Sequence, residues 1–211
     1  LILIILIGFA YLLLNLFMGE VILRTKKQHQ LPGYAEKYLG IWGKRIMTLS
    51  LFLGLYGALI AYLIGEGGTL HSIFGFGSPI IYTLIFFVIT CLIIYKGVKA
   101  TGKAELVLIS LLFLIVVLIG LFSFDKINVS YLSYLDFAKI FIPYGVIVFA
   151  FIGLPALPEM QEELGKEKKK MKKAIIIGSI IPIILYVLFS LIIIGMIGLS
   201  NFEVLQPNER I

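Results

Sequence analysis

The chain has 211 residues, 60% of them hydrophobic and 14% charged, with a mean hydropathy of +1.06; soluble domains carry roughly one-quarter charged residues, so this composition is that of an integral membrane protein. The net charge of +6 does not indicate a nucleic-acid partner, because the basic residues are confined to segments between apolar runs. The lone Cys91 excludes a disulfide framework and a cysteine metal site, and reads as a small buried packing residue.

Since a helix needs about 20 apolar residues to cross the hydrocarbon, six spans are predicted: 1–23, 45–66, 78–97, 103–124, 138–164 and 173–199. No soluble domain remains, so the expectation is a single all-α transmembrane domain over 1–211. The first span, opening LILIILIGFAYLLLNLF, is too long for a signal peptide and lacks a basic start or small-residue cleavage site. With no initiator methionine before it, the sequence is expected to be a piece of a longer chain. Asn15 should bond to a neighbouring helix, and Glu20 should pair with Arg24 near the end of this span.

LPGYAEKYLGIWG, residues 31–43, is too short to span. It is predicted as a surface helix with Pro32 in its first turn, Tyr34, Tyr38, Leu39 and Trp42 at the interface, and Glu36 and Lys37 facing water. In the second span Gly54, Gly57, Ala58 and Ala61 would admit a close helix, and Tyr56 lies near the centre. Glu66, near the outer end, is a candidate ion-coupling residue, since an ionisable group inside a bilayer is a functional candidate; the competing reading is a wet helix end. HSIFGFGSP (71–79) and DKINVSYLSYLDF (125–137) are predicted to hold short outer helices, with Tyr131 and Tyr134 as interface anchors. Glu105 is expected to pair with Lys103.

Fifteen of the 18 basic residues fall on one side of this arrangement: Arg24, Lys26, Lys27, Lys37, Lys44 and Arg45 after the first span, Lys96, Lys99 and Lys103 after the third, and six lysines from Lys166 to Lys173. Only Lys126, Lys139 and Arg210 fall on the other. The positive-inside rule makes the first side cytoplasmic, so the first span runs inward and the C-terminal end lies outside.

The fifth span is predicted to be broken at GLPALP. From Lys139 to Ile152 a helix rises only about 20 Å, against a hydrocarbon core of about 30 Å, so the crossing must include Gly153, Pro155 and Pro158. The prolines donate no backbone hydrogen bond and Gly153 tolerates unusual dihedrals. Carbonyls at the end of the first half-helix are left without amide partners, at the negative end of its dipole, where a substrate ammonium would be stabilised. Discontinuous helices of this kind form midplane sites in secondary transporters; a simple proline kink is the plainer alternative. Glu159, Glu162 and Glu163 follow the gap and read as solvated, with Glu162 able to reach Lys166.

The runs FAFIGLPALPEM (149–160) and KKAIIIGSIIP…Y (Lys172 to Tyr186), then GMIG (195–198), resemble the sixth and seventh helices of the amino acid/auxin permease family, in particular its bacterial aromatic amino acid permease branch. LPGYAEKYLG (31–40) and GVKATGKAELVLISLL (97–112) are similar more loosely. The resemblance implies the five-plus-five inverted-repeat (LeuT-type) fold, with the six spans as helices two to seven and with the first helix and those after the seventh missing. It also implies that the matching second span gives an aromatic contact, here Tyr56. Family members often carry a polar residue after the FxF motif, where this chain has Ile152, Gly153 and Leu154.

The function expected is ion-coupled transport of a neutral or aromatic amino acid across the plasma membrane by alternating access. Phe149, Ala150, Phe151, Ile152, Gly153, Leu154 and Tyr56 are the candidate substrate contacts. A proton or sodium ion is the coupling candidate, and no other cofactor or metal is expected. The partners are the amino acid and the lipid bilayer. His29 and His71 both lie in loops and no nucleophile–base pair, HExxH or phosphate-binding loop is present, so an enzyme is not expected. The alternative is a non-transporting sensor or scaffold of the same fold.

Overall fold

The computed structural model describes residues 1–95, 98–132 and 140–198, without the side chains of 98–104 and 166. Its elements are helical: α1 (Ile2–Arg24), α2 (Leu31–Phe74), α3 (Pro79–Tyr95), α4 (Val98–Ser123), α5 (Tyr144–Ala150), α6 (Leu157–Leu164) and α7 (Met171–Ile197), joined in places by short 3₁₀ turns. Among the described residues five stretches are long and apolar enough to cross a membrane, Ile2–Arg24, Leu31–Phe74, Glu105–Lys126, Tyr144–Leu164 and Glu167–Ile197, and Pro79–Tyr95 is a shorter apolar helix. The chain divides into two compact units, one of residues 1–30 and 112–211, the other of residues 31–111.

In the first unit α1 and α7 pack antiparallel. Gly8 faces Ile183, Asn15 faces Ser179, and Gly19 faces Ile175, so the register falls on α7 as it rises on α1. The glycines make the approach possible: a Cβ at Gly8 would lie 2.6 Å from Ile183 Cγ1 and one at Gly19 would run into Ile175 Cδ1. With no apolar transfer energy to gain between helices in lipid, such contact comes from close packing, which small residues permit. Ile22, Leu157, Met171 and Ile175 form the buried centre, where α6 closes over the end of α1. At the other end of α7, Ile127 and Tyr131 cover Gly195 and Gly198, and the Asn128 amide donates to the Gly195 carbonyl at 2.9 Å. The Tyr131 side chain thus packs on the end of α7.

In the second unit α2 and α3 form a helical hairpin. Their contact centres on Gly67, where a Cβ would meet Thr83 and sit 3.0 Å from the Pro79 carbonyl. The Thr83 hydroxyl lies 3.1 Å from that carbonyl and 3.3 Å from the Leu63 carbonyl. Phe74, Phe76 and Tyr82 cluster at the turn, with the Tyr82 hydroxyl donating to the Phe76 carbonyl at 2.8 Å.

Several expectations are corrected. The surface helix starts at Leu31 but ends at Gly40, whose φ of 73° and ψ of −169° break α2; only glycine adopts that backbone without strain. Lys44 and Glu36 bridge the break at 2.8 Å. The second span then runs to Phe74 rather than 66, so residues 71–74 are its last turn, and no separate outer helix forms in 71–79. Cys91 is exposed, because α3 packs on α2 through its Thr83 end. Gly54 and Gly57 have nothing within 4 Å; the close approach in this unit is at Gly67. In the fifth span residues 140–143 form turns and helix α5 starts at Tyr144. Short helices do occur in the described part of 125–137, as the 3₁₀ turns Phe124–Lys126 and Val129–Leu132. Lys96, Tyr134, Lys139, Arg210 and the C-terminal end lie outside the described residues, as do the side chains of Lys99, Lys103 and Lys166 and hence the Glu105–Lys103 and Glu162–Lys166 pairs. Glu20 does pair with Arg24, at 2.6 Å, and Glu159, Glu162 and Glu163 are exposed.

Candidate functional site

The break falls where the prolines and Gly153 predict it. Helix α5 stops at Ala150, and Phe151 (φ −98°, ψ 5°) and Gly153 (φ −129°, ψ −6°) leave the helical path. A single 3₁₀ turn, Leu154–Ala156, leads into α6. The hydrogen bonds follow from this. The Phe151 amide reaches back to the Ile147 and Val148 carbonyls at 3.2 Å, the Ile152 amide to Phe149 at 3.3 Å, and the Ala156 amide to Gly153 at 3.1 Å. Pro155 has no amide to give. Among the described residues no backbone amide reaches the carbonyls of Phe151 or Ile152. Gly153 has a negative φ, so no left-handed backbone demands glycine there; it supplies room, its nearest neighbour to an added Cβ being the Phe151 carbonyl at 3.9 Å.

Helices α1 and α7 hold the break in place. The Phe151 ring stacks on Tyr11 (centroids 6.3 Å, planes at 27°) and meets Tyr186 edge-on (5.3 Å, 70°). Its tip reaches α1 where Gly8 has no side chain, within 3.0 Å of where a Cβ would stand. The Tyr186 hydroxyl donates to the Ala150 carbonyl at 3.2 Å, taking up one of the acceptors at the end of α5. Phe149, Phe151 and Leu154 are half-buried, while Ala150 and Ile152 are exposed.

The candidates from Phe149 to Leu154 thus share one break in the first unit. Tyr56 and Glu66 belong to the second. Tyr56 is exposed and its ring lies 4.3 Å from that of Phe52. Glu66 is exposed and makes no ion pair among the described residues. Because α2 runs on to Phe74, Glu66 lies about 12 Å of helical rise inside the end of its helix, deeper than its sequence reading placed it. Sequence reasoning missed Tyr11, Tyr186 and Gln161 as residues of the site's frame. The available signal was one phenol in each of two otherwise apolar helices. Gln161 is 2% exposed, on the face of α6 that also buries Leu157, and its Nε2 lies 3.5 Å from the Ile22 carbonyl; three neighbouring glutamates hid it.

Comparison with known proteins adds the following. The tryptophan/tyrosine permease family matches residues 1–209. Tyrosine-specific transport system 2 of Haemophilus influenzae is 28% identical over 188 residues, covering 84% of this chain and 46% of the relative. Tyrosine-specific transport system 1 of the same organism is 28% identical over 172 residues, covering 80% of this chain and 43% of the relative. The chain therefore spans less than half the length of these curated relatives. No solved structure matches it.

Proposed function

The chain belongs to the tryptophan/tyrosine permease family, and from that premise we propose that the full-length protein carries an aromatic amino acid across the cell membrane by alternating access, driven by a proton or sodium gradient. A permease family agrees with a carrier rather than an enzyme. The observation that carries the reading is the pair of carbonyls at Phe151 and Ile152, which receive no backbone amide from the described residues inside a span otherwise able to cross lipid. Unsatisfied backbone at membrane depth is tolerated where it lines a cavity or is buried in protein. An ammonium has three donors and a full positive charge, and the end of α5 presents carbonyl oxygens to it. Phe149 and Phe151 supply apolar surface for an aromatic side chain.

The finer parts of the proposal rest on the resemblance set out above: membership in the wider amino acid/auxin permease group, the inverted-repeat fold, and a single transmembrane domain of which these helices are part. Alternating access in such carriers is rocking of one packed group of helices against another; in the first unit, α1, α7 and the broken α5–α6 segment form one packed group. The fifteen clustered basic residues place their loops in the cytoplasm. On the second unit, Tyr56 is proposed as an aromatic contact and Glu66 as a coupling carboxylate, each on its own account.

The test is uptake of radiolabelled tyrosine and tryptophan by the full-length protein in liposomes, with an imposed proton or sodium gradient. Saturable, gradient-dependent uptake that aromatic amino acids compete for supports the reading. Binding in detergent with no flux under any gradient would instead fit a sensor.

A further inference from the structure

The hydroxyl of Tyr186 raises a question that the transport reading leaves open. Three successive carbonyls, of Ala150, Phe151 and Ile152, lose their helical partners where α5 ends, yet they are not equivalent. The first accepts the Tyr186 hydroxyl at 3.2 Å, while among the described residues the other two accept no backbone amide. The same Tyr186 ring sits edge-on to Phe151 at 5.3 Å. Tyr186 is borne by α7, a 27-residue helix that continues through Pro182, so its position is set by a long rigid element rather than by the irregular segment it touches.

A neutral hydrogen bond to a carbonyl contributes less in net terms than one to a charged group. A carbonyl with one of its two lone pairs already taken by a phenol has less to offer an ammonium than one that accepts no backbone amide. We propose that Tyr186 is a positioning residue for the substrate's ammonium group. By occupying the Ala150 carbonyl and bracing Phe151, it directs the ammonium to the carbonyls of Phe151 and Ile152 and fixes where the aromatic side chain must then lie. This deepens the transport reading and rests on it. The bond is made by the one polar atom of a side chain that is otherwise apolar, so removing the hydroxyl alone separates positioning from packing.

The experiment uses the full-length carrier in liposomes. For wild type and for Y186F, tyrosine uptake is measured as KM and maximal rate, and inhibition by tyrosine is compared with inhibition by 3-(4-hydroxyphenyl)propanoate, which lacks only the amino group. Wild type is expected to prefer tyrosine strongly. In Y186F the ring contact with Phe151 survives, and the preference should shrink by roughly tenfold, with KM rising by a like factor and the maximal rate within about twofold, the size expected for loss of one hydrogen bond near a charged group. Y186L, which loses the ring as well, should lose the preference and the rate together. The preference is a ratio within one preparation, so the amount of inserted protein does not affect it. An unchanged preference in Y186F, with both inhibitors weakened equally or not at all, overturns the positioning role alone. A wild type indifferent to the amino group overturns the ammonium site at the break, and this proposal with it.

Discussion

The side-chain amide of Asn15 lies 3.5 Å from the hydroxyl of Ser179, Nδ2 to Oγ, and links the middle of α1 to α7. Its other polar atom, Oδ1, is buried without a partner. A long, weak bond on one side and an unpaired acceptor on the other make this a poor stabiliser: interhelical polar contacts in membranes average about 0.6 kcal/mol, and leaving a buried acceptor unmade costs about 1–3 kcal/mol. Asn15→Leu, close in size and without polar atoms, should leave stability unchanged or raise it by up to about 1 kcal/mol. Thermal unfolding of the full-length protein in detergent measures this, and a marked fall in Tm would mean that Asn15 has a partner of real strength.

Gly8 is expected to tolerate no branched side chain. Its Cβ would stand 2.6 Å from Ile183 Cγ1 and 3.0 Å from Phe151 Cζ, so Gly8→Val must push α7 or the Phe151 ring aside, at a cost of about 1–3 kcal/mol for an overpacked contact. Gly67→Val should do the same to the α2–α3 hairpin, where the added atoms meet Thr83 and the Pro79 carbonyl. Both are read as lowered Tm. Gly8→Val should also reduce uptake more than Gly67→Val at equal loss of Tm, because only Gly8 touches the break.

Gln161 joins α6 to the end of α1 from a buried position, with Nε2 3.5 Å from the Ile22 carbonyl. Gln161→Ala would open a gap beside Ile22, itself fully buried, and should cost about 2 kcal/mol, in the range of buried truncations that also remove a polar contact. Protease accessibility of the 165–170 segment, which follows α6 directly, should rise with it. Unchanged Tm and unchanged cleavage would show that the contact carries nothing.

Gly153 separates two explanations of the break. Gly153→Ala places a methyl group 3.9 Å from the Phe151 carbonyl at a negative φ, which the backbone accepts, so uptake should stay within about twofold. Gly153→Phe fills the space in front of that carbonyl and should reduce uptake at least about tenfold by excluding a cation from the end of the α5 dipole. Equal uptake for Gly153→Phe and wild type would leave the site at the break without support.

Orientation is checked by accessibility. With Cys91 replaced by serine, single cysteines at Lys27 and Lys169 should react with an impermeant maleimide only after the inner face is opened, and one at Lys126 should react from outside. Labelling of Lys27 and Lys126 from the same face would reverse or dissolve the assignment based on clustered charge.

What could be read without coordinates was whatever depends on length, polarity or backbone chemistry within a few residues. The break at Gly153–Pro155–Pro158 is of this kind, because missing amides act locally. So is the Glu20–Arg24 pair, one turn apart on one helix. Helix ends were less legible. The apolar length needed to cross lipid ends the second span at 66, yet α2 continues to Phe74, and Gly67, Gly68 and Thr69 carry no signal that forbids helix. The apolar neighbours of Cys91 suggest a core position, but in a membrane chain apolar surroundings in sequence do not imply burial in protein. Many large apolar side chains, among them Phe17, Leu49 and Leu108, are exposed here.

By itself, then, the sequence determined that the chain crosses a membrane several times, where one crossing is interrupted, and which loops carry the positive charge, because each is a property of the chain's own backbone or solvation. Only the tertiary structure decided which of the carbonyls at the interruption is occupied, and by what. Tyr186 reaches Ala150 from a residue 36 positions away, and Tyr11 and Gly8 meet Phe151 from a helix further off still. Such meetings are fixed by the register of α1 on α7, which depends on how small residues let two helices approach, and no local pattern of hydrophobicity encodes it.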